Sequence, residues 1–135
     1  MKAVPAIDKY MTTAPHTVGA DVSLTKAEKI MGEMRVRHLP VLEGGQLVGV
    51  LSDRDIKLVE SFKDVDPDKV SVREAFTEQP YVVSPRAPLD EVCKEMAAHK
   101  YSSVLVVDNH KLVGIFTWVD ALNAMGELLE SRLKH

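Results

Sequence analysis

Apolar and polar positions along this chain fall into one pattern that occurs twice. In the first copy Leu24, Ala27, Met31 and Met34 recur at spacings of three and four, one face of a helix, and Ser23 stands where a cap would accept a backbone N–H. Two runs rich in strand formers follow at 39–43 and 47–52, with Gly44-Gly45 between them as a tight turn. In the second copy Leu89, Val92 and Met96 make the helical stripe with Pro88 in its first turn, and 103–107 and 112–117 make the strand pair around a turn at 108–110. A helix is expected to open after each pair, near Asp53 and near Val119, the second running on through Leu122, Met125, Leu128 and Leu129.

The two copies keep one register without a gap. Leu47-Val48-Gly49 returns as Leu112-Val113-Gly114, and the same offset of 65 positions relates Asp55 to Asp120, Met31 to Met96, Leu24 to Leu89, Pro15 to Pro80 and Thr12 to Thr77. Ser52 with Thr117, Val50 with Ile115, Leu39 with Val104 and Ala27 with Val92 are conservative pairs in that register. The Asp- and Lys-rich stretch at 63–70 reads as a linker, and Ser71-x-x-Glu74 is a capping box that opens the second copy with a short helix. The resulting boundaries are 6–62 and 71–128 for the two units and 129–135 for the end of the C-terminal helix. A unit of this size buries too little surface to be secure alone, so the copies are expected to share one core.

Composition narrows the function. With 45% hydrophobic and 27% charged residues the chain is expected to fold, and its apolar runs at 47–51 and 104–107 are far too short to span a bilayer. The first ten residues carry Lys2, Asp8 and Lys9 and have no apolar core of a secretory signal, so a cytoplasmic setting is expected. Cys93 is the one cysteine, which excludes an intrachain disulfide and a Cys-rich zinc site; beside Val92 it reads as a small buried hydrophobe. A net charge of -3 shows no basic excess that would point to nucleic acid, and local basic clusters stay open at this stage. The histidines His16, His38, His99, His110 and His135 show no spacing that puts two ligands on one helix face. No nucleophile elbow, P-loop or dinucleotide fingerprint is present, so neither catalysis nor a resident metal or cofactor is expected.

The segments Arg37-His38-Leu39-Pro40-Val41, Leu47-Val48-Gly49-Val50-Leu51-Ser52-Asp53-Arg54-Asp55-Ile56 and Leu112-Val113-Gly114-Ile115-Phe116-Thr117-Trp118-Val119-Asp120 resemble a tandem pair of cystathionine beta-synthase (CBS) domains, a Bateman module. The resemblance covers nearly the whole chain. It implies an α/β fold of two interlocked units, each a short β-sheet with packed helices, related by pseudo-twofold symmetry. It also implies clefts between the units that bind adenosine-containing ligands such as AMP, ADP, ATP or S-adenosylmethionine. Val50 and Ile115 fall among the ligand-contacting positions, and the adenine is expected against the lead-in loop of the opposite copy. Carried over, Thr13-Ala14-Pro15 would flank the pocket of Asp120, and Gln79-Pro80-Tyr81 that of Asp55. Spacing alone reads both loops as ordinary turns.

The chemistry of these positions supports two readings. Ser52 and Thr117 fall where a strand meets a helix N-terminus, a place with spare N–H groups that favours phosphate. Three residues on, Asp55 and Asp120 can accept hydrogen bonds from vicinal ribose hydroxyls. Ser-x-x-Asp is equally a capping box that needs no ligand, and both roles can hold at once. Arg37 and His38 precede a strand and could meet phosphate or lie solvated, while copy two has Ser102 and Ser103 there, donors without charge. Arg54 faces the positive end of its helix dipole, which a bound anion would relieve; an outward-pointing side chain or a dimer contact explains it as well. Trp118, at the equivalent place to Asp53, reads as core or interface packing. The expectation is a stand-alone regulatory module that binds an adenosine-containing ligand, forms a homodimer and signals in trans to a protein target. A ligand-independent dimerising adaptor is the competing class.

Overall fold

The computed structural model describes residues 3–78 and 80–133, so Lys2, Gln79 and His135, named above, lie outside the described residues. In chain order the elements are β1 (Thr12–Thr13), β2 (Val18–Gly19), α1 (Leu24–Met34), β3 (His38–Glu43), β4 (Gln46–Ser52), α2 (Asp53–Glu60), β5 (Thr77–Glu78), β6 (Val82–Val83), α3 (Leu89–His99), β7 (Ser103–Asp108), β8 (Lys111–Thr117) and α4 (Trp118–Leu133). They form two compact units, residues 16–80 and residues 1–15 with 81–135.

The unit of residues 16–80 is a four-stranded sheet in the order β2-β3-β4-β5. Its centre is the β3–β4 hairpin, closed by Gly44 and Gly45 at φ +57 and +79, the left-handed pair that a two-residue hairpin turn requires. Leu24, Ala27 and Met31 of α1 are buried with Leu39, Val41, Leu51 and Ile56, and the stripe that the sequence shows is what drives α1 onto the sheet. Ser23 caps α1 by accepting from the Lys26 N–H at 3.2 Å. Met34, the last member of the predicted stripe, is 44% exposed, because α1 ends there and Arg35 turns away at φ 56.

The other unit repeats this plan with the order β1-β8-β7-β6. Leu89, Val92 and Met96 of α3 are buried with Val104, Val106 and Phe116. Pro88 is the N-cap of α3, at ψ 132, and not part of its first turn. The β7–β8 turn is made by Asn109 and His110 at φ 51 and 65, the positions of Gly44 and Gly45. Lys100 matches Arg35 as the left-handed C-cap, at φ 59. In α4 only Ala124 is buried, and Leu122, Met125 and Leu129 of the predicted apolar face are about half-exposed.

The buried apolar residues form a cluster in each unit, and the lead-in segments make each cluster draw on both copies of the repeat. Residues 3–15 belong to the unit of the second repeat, and residues 70–80 to that of the first. Val72 thereby completes one cluster and Ile7 the other, both fully buried. The backbone bonds that hold the two lead-ins match position for position. Leu24 donates to the Val70 carbonyl at 2.9 Å, Val72 to Val22 at 2.7 Å and Arg73 to Ala20 at 2.9 Å. The counterparts are Leu89 to Pro5 at 2.9 Å, Ile7 to Ala87 at 2.9 Å and Asp8 to Pro85 at 3.2 Å. Glu74 accepts from the Ser71 N–H at 2.9 Å, the predicted capping box on a 3-10 turn, Val72–Glu74. Arg73 adds ion pairs to Asp21 and Glu43, each at 2.5 Å.

Candidate functional site

Each unit brings its chemistry to one place, the junction where the second hairpin strand runs into a helix. In the unit of residues 16–80, β4 ends at Ser52, the N-cap of α2. The Ser52 hydroxyl accepts from the Asp55 N–H at 3.1 Å, and Asp55 Oδ2 accepts from the Ser52 N–H at 2.9 Å. This reciprocal pair fixes the carboxylate in the first turn, where the helix dipole favours it. The Asp53 N–H donates to the Arg37 carbonyl at 2.8 Å, which ties the start of α2 to the start of β3. His38 stands opposite Ser52 in the ladder, and Val50, 8% exposed, lies two residues back along β4. β5 closes the outer edge of β4, with Thr77 opposite Val50 and Glu78 opposite Gly49.

The charges around this junction are unequal in their surroundings. Burial holds the His38 imidazole below its usual pKa, with Arg37 pushing the same way and Asp55 and Asp53 opposing. His38 is thereby a neutral hydrogen-bonding group near pH 7. Arg37 is exposed and lines a shallow groove of about 390 Å³ with Arg35, Glu28 and Asp53. In that groove desolvation, followed by the Glu60 carboxylate, raises the Glu28 pKa. Arg54 is exposed at the second position of α2, while Asp53 pairs with Lys57 at 3.0 Å.

In the unit of residues 1–15 with 81–135, β8 ends at Thr117. Its N–H donates to Asp120 Oδ2 at 2.9 Å, and its hydroxyl reaches the same oxygen at 3.3 Å. The Trp118 N–H donates to the Ser102 carbonyl at 3.3 Å, the counterpart of the Asp53–Arg37 bond. β1 lies along β8, with Thr12 opposite Ile115 and Thr13 opposite Gly114, and the Ala14 N–H donates to Val113 at 3.3 Å. Ala14 has φ 48, a left-handed conformation uncommon for a residue with a Cβ. The Thr12 hydroxyl donates to Asp120 Oδ1 at 3.2 Å. Trp118 is 47% exposed and so is not core within its unit.

The structure therefore gathers Ser52, Asp55, Val50, His38 and the Arg37 backbone in one unit. It gathers Thr117, Asp120, Ile115, Ser102, Thr13 and Ala14 in the other, where half-buried Pro15 ends the lead-in. Pro80 ends the unit of residues 16–80, whereas Tyr81 belongs to the other unit. There the Tyr81 carbonyl accepts from the Leu105 N–H at 2.9 Å and its ring lies 5.3 Å from that of Tyr101. Thr12 was not among the sequence candidates; its place in the 65-residue register was the available signal, and its contact with Asp120 arises only because β1 pairs with β8. Burial raises the Cys93 thiol pKa, which keeps it protonated. Among the described residues no helix is long and apolar enough to cross a membrane, and no cluster of three His, Cys, Asp or Glu could hold a metal.

The CBS domain family model matches residues 7–60 and 72–127. The CBS domain-containing protein YhcV of Bacillus subtilis (strain 168) is 33% identical over 121 residues, which cover 89% of this chain and 86% of YhcV. The CBS domain pair of protein MJ0100, solved with 5'-methylthioadenosine and S-adenosyl-L-methionine, superposes with a TM-score of 0.84 at 26% identity, covering 93% of this chain and 99% of that one. CBSX2 in complex with AMP gives a TM-score of 0.76 at 28% identity, covering 92% and 98%.

Proposed function

We propose that this chain, which belongs to the CBS domain family, is a regulatory module that binds an adenosine-containing ligand at its strand-to-helix junctions and passes occupancy to a partner protein. One observation carries the reading. Both junctions present a hydroxyl and, three residues on, a capped carboxylate beside a strand end, at equivalent positions of the repeat. A carboxylate in that place can accept from the adjacent hydroxyls of a ribose with the lone pairs that other donors leave it, while the helix N-terminus next to it favours phosphate. The ligands in the MJ0100 and CBSX2 complexes, S-adenosyl-L-methionine, 5'-methylthioadenosine and AMP, share an adenosine moiety. The neutral His38 supports a hydrogen bond to the ligand, and Arg37 and Arg54 are exposed cations of the unit of residues 16–80 that a phosphate could meet.

The α4 residues Leu122, Met125, Leu129 and Leu133, between 49% and 75% exposed, support assembly with a second copy. The test is a thermal-shift and calorimetric screen of AMP, ADP, ATP and S-adenosylmethionine, with light scattering in parallel. At a hundred times its dissociation constant a bound ligand raises stability by about 2.7 kcal/mol. Melting curves indifferent to all four compounds, with no heat of binding, would refute ligand recognition, and a single-chain mass at micromolar concentration would refute the dimer.

A further inference from the structure

The two carboxylates at the junctions look equivalent in the repeat, yet among the described residues they carry different numbers of hydrogen bonds. An ionised carboxylate has about four acceptor positions, and a ribose diol claims two. Among the described residues Asp55 gives one, to the Ser52 N–H; the Ser52 hydroxyl is turned the other way, accepting from the Asp55 N–H. Asp120 gives two on Oδ2 to the N–H and hydroxyl of Thr117, and a third on Oδ1 to the hydroxyl of Thr12, which also lies 3.5 Å from Oδ2. Thr77 is the counterpart of Thr12, held opposite Val50 as Thr12 is held opposite Ile115. Among the described residues Thr77 makes no side-chain bond to Asp55. The lead-in strands thus sit alike on their sheets, and one of them delivers a hydroxyl to the carboxylate where a ligand hydroxyl would bind.

We propose that Thr12 acts as an internal substitute for a ligand hydroxyl, closing the Asp120 junction to nucleosides and leaving the Asp55 junction as the site that fills first. The idea rests on the proposed adenosine-binding function and adds to it which junction is used and which residue decides. Thr12 is a specificity-determining position. It lies in a two-residue edge strand and is exposed, so removing its hydroxyl with the isosteric valine leaves the ladder intact.

Calorimetry of the full chain with adenosine, the moiety common to the candidate ligands, tests this. The parent is expected to bind one equivalent, and Asp55→Asn, which keeps a capping oxygen, to lower its affinity at least tenfold. Thr12→Val is expected to add a second equivalent by strengthening the Asp120 junction about tenfold, the worth of one hydrogen bond. Thr12→Ser, which restores the hydroxyl, is expected to return to one. Circular dichroism confirms that each variant is folded. Two equal equivalents in the parent, or no second equivalent in Thr12→Val, would overturn the inference and leave the proposed function standing. Binding of a nucleotide without any binding of adenosine would do the same. If the parent binds neither adenosine nor any of the four larger ligands, the proposed function fails and this inference fails with it.

Discussion

Gly49 and Gly114 occupy the same place in the repeat, and replacing each with alanine should have very different consequences. A Cβ on Gly49 would run into the backbone oxygen of Thr77 and Cδ2 of the Phe76 ring, with Cε2 of that ring at 2.6 Å. Both neighbours belong to the lead-in that carries β5, and a carbonyl in a paired strand cannot rotate aside. A Cβ on Gly114 would meet Met11, its Sδ at 2.5 Å, Cγ at 3.0 Å and Cε at 3.1 Å. That is the side chain of an unbranched residue with three rotatable bonds, which moves at little cost. Overpacking costs about 1–3 kcal/mol, and displacing β5 removes ladder bonds worth about 1 kcal/mol each. Gly49→Ala should therefore lose roughly 3 kcal/mol, and Gly114→Ala less than about 1.5 kcal/mol. At this chain length the first loss lowers the melting temperature by roughly 10 °C. Thermal melts and urea midpoints of the two variants measure the contrast directly. Phe76→Leu added to Gly49→Ala should recover little of the loss, because the Thr77 oxygen still stands in the way. Equal losses in the two alanine variants, or full recovery by Phe76→Leu, would refute the reasoning.

Two further outcomes concern His38 and the β7–β8 turn. Because burial lowers the His38 pKa below its unfolded value near 6.5, the unfolded chain takes up a proton first; stability should fall as pH drops through 6.5 towards the folded pKa, and His38→Gln should flatten that part of a stability–pH profile, an unchanged profile counting against it. His110→Gly, which turns the Asn109-His110 pair into Asn-Gly at positive φ, should raise stability by about 0.5–1 kcal/mol in chemical denaturation, and a loss would show that the His110 side chain has a role of its own.

What could be read from the sequence was what local chemistry decides. The β3–β4 hairpin was visible because Gly44-Gly45 separates two apolar runs, and α1 and α3 because Leu24, Ala27 and Met31, like Leu89, Val92 and Met96, keep helical spacing. Ser52 with Asp55 was visible as a cap, and the structure shows the reciprocal bonds. Thr12–Thr13 and Thr77–Glu78 were not visible as strands, since two residues have no periodicity and their pairing depends on which sheet edge the chain reaches. The bond from Thr12 to Asp120 spans 108 positions, so no local pattern could announce it. Nor does an apolar stripe say how much of it a unit will cover: Met34, Leu122 and Met125 keep the spacing of buried residues and are exposed.

The pairing of β1 with β8 and of β5 with β4 also bears on how such a chain could have arisen and how it can be cut. A fragment ending inside the 63–70 linker would hold β1 without the strand it pairs with, and β4 with its outer edge bare. Its mirror fragment would have the opposite defects. Neither half is a self-sufficient product of dissection, but two identical halves could each lend the other its leading arm. An ancestral single-repeat polypeptide would on this geometry have worked as an arm-exchanged pair, and joining two genes end to end would have changed its connectivity without altering a single hydrogen-bonded ladder.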